Sequence, residues 1–184
     1  MTHFPERLSD IARMVDARLG TLLAPATPFE AQSSGQSGVP ARLNAAMRHA
    51  VLTGGKRFRP FLLVECAELF AVPPGSSMDA ALALECIHCY SLAHDDLPCM
   101  DNDKLRRGQP TVWTAYDEWT AVLAGDALQT LAFEILTSPA CHADAGVRCA
   151  LAGAGEAIDA GKEAQVLRDA QIPIERELLC HVTQ

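Results

Sequence analysis

The sequence has few aromatic residues, no excess of positive charge and no long apolar run, and each shortage excludes a class of protein. Aromatic residues make up 5% of the 184 residues, and β-branched runs are scarce, which favours helices over strands. The net charge of −8 argues against a nucleic-acid-binding protein. No stretch approaches the roughly 18 apolar residues of a membrane span, and the first 30 residues lack a signal-peptide core. We expect a cytoplasmic protein with no nucleic-acid partner and no stable membrane insertion.

The seven cysteines lack the pattern of a metal or redox site. Cys86 and Cys89 form a CxxC pair, but a zinc site needs a second pair of ligands and a thioredoxin-like site needs a βαβ context. The sequence offers neither. We interpret the cysteines as free, mostly buried thiols in a reducing compartment, and the role of the CxxC pair stays open.

Hydrophobic spacing and the positions of Pro and Gly predict one all-α domain over residues 1–184, with no strand and no internal repeat. A polar connection, Ala31 to Gly38, is expected to be flexible. The predicted helices run over about Pro5–Leu23, from Pro40 to Gly54, over Phe61–Phe70, from Ser76 or Ser77 to Asp96, over Val112–Leu136, and over Val147–Gln184 with a break at Pro173.

The predicted helix ending at Asp96 is apolar nearly all round, which places it at the centre of a bundle. Its polar residues fall within an arc of roughly 140° at 100° per residue. We expect this arc to form a water-facing seam that ends in two carboxylates. The residues of the arc are Glu85, His88, Ser91, Asp95 and Asp96.

The sequence DDLPCMD places Asp95, Asp96 and Asp101 close together, with Asp103 nearby. Such carboxylates repel one another unless a cation lies between them, and Mg²⁺ prefers carboxylate oxygens while leaving positions for phosphate oxygens. A solvated acidic helix end is the alternative interpretation of the same residues.

Two basic clusters bracket the acidic motif, GGKRFRP at residues 54–60 and LRRG at residues 105–108. Glycines let the backbone approach a ligand closely, while Lys and Arg side chains match diphosphate oxygens. Each cluster alone could be a solvated turn. Together with the acids they predict one diphosphate bound through metal and another bound without it.

The segments GGKRFRP, ECIHCYSLAHDDLPCMDNDKLRRGQPT and LAGDALQTLAFEIL closely resemble trans-prenyl diphosphate synthases, above all the bacterial short-chain farnesyl diphosphate synthase type. The resemblance covers about Leu43 to Leu136 and implies the isoprenoid synthase helical bundle. It implies a Mg²⁺-dependent prenyltransferase that joins dimethylallyl or geranyl diphosphate to isopentenyl diphosphate. It also implies a homodimer, paired through helices such as Val112–Leu136.

The resemblance assigns roles to individual residues. Isopentenyl diphosphate would be bound by Lys56, Arg59, His88 and Arg107. Asp95 and Asp101 would ligate Mg²⁺ on the allylic diphosphate, Asp96 would support them, and Arg106 would contact that diphosphate. Metal and cationic side chains would stabilise the departing diphosphate, and the isopentenyl double bond would attack the allylic carbocation.

The resemblance also implies a control of product length by bulk below the aspartate motif. Tyr90, five residues before Asp95, is the candidate floor of the pocket, with Ser91 next to it. The extra residues Pro98 and Cys99 match bacterial short-chain enzymes. A farnesyl (C15) product is therefore expected, a geranylgeranyl (C20) product stays open, and Tyr90 could also be ordinary core.

Two further polar residues lie near the motif in the sequence. His94 falls about 180° from the Glu85 side of its helix, so we expect it to pack or to support the site indirectly. Asp126 lies on the apolar face of its helix, with Trp119, Val122 and Leu123 among its neighbours, so we expect a buried acid with a partner. We expect it to support the site, and a purely structural hydrogen bond is the alternative.

The sequence departs from the family in its last third. The second aspartate-rich motif, a Lys-Thr pair and a further Lys are absent from these residues, and Glu156 stands where the family usually has Gln. We therefore expect a C-terminally truncated chain that exposes apolar surface and is inactive, or nearly so, on its own.

Three alternatives stay open at this stage. A non-catalytic subunit or truncated remnant would lack the second motif. A terpene cyclase would share the aspartate motif but would not need GGKRFRP. An HD-type phosphohydrolase could be read from His94 and Asp95 but would need further ligands that the sequence does not provide.

Overall fold

The computed structural model describes residues 3–25 and 39–169, with side chains described up to residue 157. These residues form helices with one minimal hairpin between them. In chain order the elements are α1 (Phe4–Leu22), α2 (Ala41–Leu52), α3 (Phe58–Leu69), α4 (Pro74–Asp95), β1 (Leu105–Arg106), β2 (Gln109–Pro110), α5 (Val112–Ala115), α6 (Glu118–Thr137) and α7 (Ala145–Asp169).

Helix α4 lies at the centre of the bundle, as its apolar sequence predicts. It packs most extensively against α6 and α3, and it also contacts α1, α2 and α7. Most of its side chains from Ser77 to Ala93 are buried, so almost no face of the helix meets water. Fully buried Leu19, Ile87 and Leu128 join α1, α4 and α6 in one hydrophobic cluster.

Helix α3 begins three residues earlier than predicted, at Phe58 rather than Phe61. Pro60 lies within its first turn, where a missing backbone N–H breaks no helical hydrogen bond. Helix α4 also begins earlier, at Pro74 after Pro73, and no side chain caps it. Ser77 instead donates its hydroxyl to the Pro74 carbonyl at 3.3 Å.

The long helix predicted over Val112–Leu136 is wrong in its first part, because the chain breaks after Ala115. Asp117 starts the second helix as its N-cap, and its Oδ1 accepts a hydrogen bond from the Thr120 backbone N–H at 2.7 Å. The expectation of no strand is also wrong on a small scale. Residues Leu105–Arg106 pair with Gln109–Pro110 in an antiparallel hairpin.

The predicted connection from Ala31 to Gly38 and the predicted break at Pro173 lie outside the described residues. That residues 1–184 form a single domain stays a prediction. Among the described residues, no helix combines the length and apolarity needed to cross a bilayer.

Candidate active site

The glycine-rich turn between α2 and α3 has a backbone that few sequences can adopt. Gly54 has φ of 99° and Gly55 has φ of 145°, a region that favours glycine. Arg57 also has a left-handed backbone, with φ of 49°, immediately before α3. In this turn Arg57 is buried, whereas Lys56 and Arg59 are exposed.

A cleft of about 500 Å³ opens beside this turn. The Arg59 guanidinium lies 3.2 Å from Nε2 of His88, which reaches the cleft from α4. Arg107 reaches it from the hairpin and donates to the Gly54 carbonyl. A Cβ on Gly55 would overlap the Arg107 guanidinium, so glycine is required there for this approach. The structure thus brings together the four residues predicted to bind isopentenyl diphosphate, Lys56, Arg59, His88 and Arg107.

The predicted water-facing seam on α4 is wrong for four of its five residues, which are buried, whereas Asp95 is half-buried. Glu85 is 2% exposed, Ser91 is 3% exposed and Asp96 is 3% exposed. Glu85 accepts a hydrogen bond from Nη1 of Arg57 at 2.7 Å. Burial alone would lower the pKa of Arg57, but the hydrogen bonds to Glu85 and Asp16 outweigh it and raise that pKa above its ordinary value. This ion pair was not predicted.

Asp96, the second of the two aspartates at the end of α4, is held in place by an ion pair with Arg106. Arg106 donates from Nε to both carboxylate oxygens of Asp96, at 2.9 and 3.0 Å, and from Nη2 at 2.6 Å. This bidentate pairing raises the pKa of Arg106 above its ordinary value, so the guanidinium stays charged. Asp96 therefore fixes Arg106 in place, and its predicted support of Asp95 and Asp101 stays a prediction.

Asp95 and Asp101 lie together at the mouth of this region. The Asp101 backbone N–H donates to the Asp95 carbonyl at 2.8 Å, and Asp101 is exposed. Mg²⁺ is usually held by one or two carboxylates together with substrate phosphates rather than by a closed protein cage. The described residues contain no cluster of three or more metal-ligating side chains. Asp95 and Asp101 are the residues that would hold Mg²⁺ together with a diphosphate, and this role stays a prediction.

The basic hairpin is fixed on both flanks. The Thr111 hydroxyl donates to the Asp103 carbonyl at 2.9 Å, and the Trp113 indole donates to the same carbonyl at 2.8 Å. On the other flank, Nε2 of His49 lies 2.7 Å from the Pro110 carbonyl. These contacts orient Arg106 and Arg107 without using the side chains of either.

A second, narrower cleft lies between α2, α4 and the hairpin. Its lining includes Cys89, Leu92 and Asp96 from α4, and Arg106 with Arg107 from the hairpin. Arg107 lines both clefts, so the two clefts are neighbours.

In the part of the chain that the structure describes, Tyr90 and Ser91 line neither cleft. The Tyr90 ring is buried and meets the His94 ring edge-on, with centroids 5.7 Å apart. The Ser91 hydroxyl donates to the His88 carbonyl at 2.9 Å. A role for either residue in product length stays a prediction.

His94 packs between helices, as expected, but the burial predicted for Asp126 is wrong. Nε2 of His94 lies 3.0 Å from the Val122 carbonyl, and the ring fills the space beside Gly125. The Asp126 side chain is 58% exposed, and its nearest basic group, Nε2 of His94, is 3.8 Å away. Asp126 faces outward because it continues the exposed face of α6.

The CxxC pair is buried within α4, and neither cysteine is in a disulfide. Burial raises the pKa of Cys89 to about 12 and raises that of Cys86 as well. Thiols held protonated in this way are poor nucleophiles and poor metal ligands. The pair is therefore core packing, in agreement with its interpretation as buried free thiols. The expectation of mostly buried cysteines is wrong for Cys66, Cys99 and Cys149, which are exposed.

Comparison with known proteins places these features in a family. The sequence profile of the Polyprenyl synthetase family matches residues 40–168. Farnesyl diphosphate synthase from Haemophilus influenzae is 48% identical over 137 residues, which cover 74% of this chain and 43% of that protein. Large subunit 1 of a chloroplastic heterodimeric geranylgeranyl pyrophosphate synthase from Arabidopsis thaliana is 54% identical over 99 residues, which cover 54% of this chain and 27% of that protein.

A crystal structure of an FPP/GFPP synthase from Zymomonas mobilis matches with a TM-score of 0.75 at 40% identity, over 95% of this chain and 62% of that one. The described helices therefore have the isoprenoid synthase fold. The chain belongs to the polyprenyl synthetase family, the trans-prenyl diphosphate synthases. It spans less than half the length of the two curated relatives described above.

Proposed function

We propose that this chain binds isopentenyl diphosphate in the basic cleft and an allylic diphosphate, dimethylallyl or geranyl, at the acidic end of α4, as part of a prenyltransferase. The observation that carries the proposal is the shared cleft of Lys56, Arg59, His88 and Arg107, which adjoins a second cleft lined by Asp96 and Arg106. Two adjacent diphosphates need this division of charge, because one meets cationic side chains directly and the other meets carboxylates through a bound cation.

In the proposed reaction the allylic C–O bond breaks and diphosphate leaves with the electron pair. Arg106, held by Asp96, stabilises the negative charge that develops on the leaving group. Magnesium, when bound by Asp95 and Asp101, would supply further neutralisation of that charge. The double bond of isopentenyl diphosphate, positioned by the basic cleft, forms the new C–C bond, and a proton is then lost.

The product is proposed to be farnesyl diphosphate. Farnesyl diphosphate synthases are among the relatives of this chain, and geranylgeranyl pyrophosphate synthases are among them as well. Tyr90 as the pocket floor is the proposed reason for a C15 product. A cytoplasmic location is proposed from the same relationship.

We also propose that two copies of the chain pair through the outer face of α6. Trp119 is 60% exposed, Val122 is 38% exposed and Leu123 is 46% exposed, and all three lie on one helical face. A contiguous apolar stripe of this kind is typical of a protein interface.

Binding tests the function directly. Geranyl diphosphate and isopentenyl diphosphate are titrated calorimetrically into the purified chain, with and without Mg²⁺. In the Asp95→Asn/Asp101→Asn variant, Mg²⁺-dependent binding of geranyl diphosphate should weaken at least about tenfold, because two carboxylates that hold the cation are lost. Metal-free binding of isopentenyl diphosphate should not change. Asp10→Asn, an exposed acid on α1, is the matched control.

Release of pyrophosphate distinguishes the alternatives. Release that requires both substrates supports the synthase, while release from geranyl diphosphate alone would favour a terpene cyclase. Binding of both substrates without turnover would favour a non-catalytic subunit or a truncated remnant of the family. Absence of binding to either substrate would contradict the proposal.

A further inference from the structure

The floor of the basic cleft contains a carboxylate, which is unexpected in a site for an anion. Glu85 lines the cleft, and its side chain is only 3% exposed. An unpaired carboxylate there would repel diphosphate. It would also attract the cationic side chains that are proposed to bind the diphosphate. Its partner is Arg57, whose side chain is 1% exposed and lines the same cleft.

Arg57 joins the glycine-rich turn to three helices at once. Its Nε donates to Asp16 of α1 at 2.7 Å, its Nη1 donates to Glu85 of α4 at 2.7 Å, and its Nη2 donates to the Val51 carbonyl in the last turn of α2. The guanidinium fork supplies this geometry, which a lysine could not reproduce. Cys89, one turn after Glu85, lies with Sγ 4.0 Å from the same carboxylate oxygen.

The two cationic residues on either side of Arg57 in the sequence differ from it in exposure. Lys56 and Arg59 are exposed and line the cleft, while Arg57 between them is buried. Glu85 precedes His88 by one helical turn on α4, and His88 meets Arg59 at 3.2 Å. The position of the cationic side chains therefore depends on how Arg57 and Glu85 hold the turn against α4.

We propose that Arg57 and Glu85 are positioning residues for the metal-free diphosphate site, which they shape without contacting the diphosphate. The inference rests on the proposed function, because it presupposes that the cleft binds a diphosphate. Arg57 fixes the turn that carries Lys56 and Arg59, and it also neutralises Glu85 so that the carboxylate does not bind Arg59 or Arg107.

The test is binding of inorganic pyrophosphate to the 184-residue chain in EDTA, followed by calorimetry, with stability measured in urea. In Arg57→Met/Glu85→Met both charges are removed, so neither is left buried and unpaired. We expect this variant to fold and its Kd for pyrophosphate to rise about tenfold, the lower end of the range for groups that support a ligand-binding shell. Glu85→Gln keeps an acceptor oxygen for Arg57, so it should bind no more weakly than the parent chain.

The control is Arg7→Met/Glu65→Met, the same exchange in an ion pair of 2.7 Å between α1 and α3. It should leave the Kd unchanged, because Arg7 and Glu65 do not belong to the cleft lining. If it weakens binding as much as the double variant at the cleft, binding reports general stability and the inference fails. A parental Kd in Arg57→Met/Glu85→Met also overturns the inference.

Arg59→Met separates this inference from the function on which it rests. If Arg59→Met weakens pyrophosphate binding while Arg57→Met/Glu85→Met does not, the cleft binds diphosphate and only the positioning role is wrong. If Arg59→Met has no effect, the proposed function is wrong. Should the double variant not fold, Arg57→Lys replaces it, since lysine keeps the charge but loses the fork; a raised Kd supports the inference, and a parental Kd overturns it.

Discussion

At the residue scale, the three aspartates of DDLPCMD differ in what they contact. Asp96 is buried and accepts all of its described side-chain hydrogen bonds from Arg106. Asp95 and Asp101 lie beside it, joined through a backbone hydrogen bond. The paired carboxylate of Asp96 fixes the Arg106 guanidinium beside the end of α4. The motif thus supplies the anchor for a cation that lies outside it, on the hairpin.

Tyr90 provides the test of product length. In Tyr90→Ala the loss of the ring should open space below the motif, so the preference should shift from farnesyl toward geranylgeranyl diphosphate by about tenfold, as expected for added apolar room in a binding pocket. The measurement is the ratio of the Kd values for the C15 and C20 diphosphates in the presence of Mg²⁺. Tyr90→Phe keeps the bulk and should keep the parental ratio. An unchanged ratio in Tyr90→Ala would identify Tyr90 as ordinary core, where it packs against His94.

At the element scale, the close contact between α4 and α6 depends on Gly125. A Cβ at this position would overlap the His94 ring, which is held by the Val122 carbonyl and by Tyr90. Gly125→Leu should therefore destabilise the chain by at least about 2 kcal/mol through overpacking, measured as the free energy of unfolding in urea. Gly153→Leu is the matched control, because nothing lies within 4 Å of a Cβ there. It should be neutral or stabilising, since leucine is the better helix former. Equal losses in the two variants would show that Gly125 is not a packing constraint.

Helix positions could be predicted from the sequence because their signals are local. Pro40 and Gly54 bracket α2, and the unbroken apolar sequence of α4 places it in the core. The break before α6 also had a local signal, since Asp117 followed by Glu118 is a typical helix start. The prediction missed it because the surrounding apolar pattern continues.

The interior of the site could not be predicted in the same way. The composition of the basic cleft followed from family resemblance, but the partners of its buried groups did not. Arg57 meets Glu85 and Asp16, which are 28 and 41 residues away in the sequence. No spacing rule connects a turn with positions on two different helices, and a basic turn is ordinarily interpreted as exposed. The burial of Glu85, Ser91 and Asp96 depends on the same tertiary packing.

At the scale of the whole molecule, the exposed face of α6 predicts an assembly of two chains. Its apolar residues are reinforced by Arg42, whose guanidinium lies 5.6 Å from the Trp119 ring centroid and 5.7 Å from that of Tyr116. Aromatic and arginine side chains are the residues that most often dominate the energetics of protein interfaces. In a twofold interface each substitution acts twice.

Leu123→Glu should therefore separate the two copies. The parental chain is expected to sediment at twice its 19.7 kDa mass, and the variant at 19.7 kDa, in analytical ultracentrifugation. A buried, unpaired carboxylate costs about 3–5 kcal/mol, which weakens association at least about 100-fold. Leu69→Glu is the matched control, because Leu69 is 83% exposed on α3 and not on the α6 face. It should keep the parental mass. A monomeric parental chain, or loss of the dimer in Leu69→Glu alone, would contradict pairing through α6.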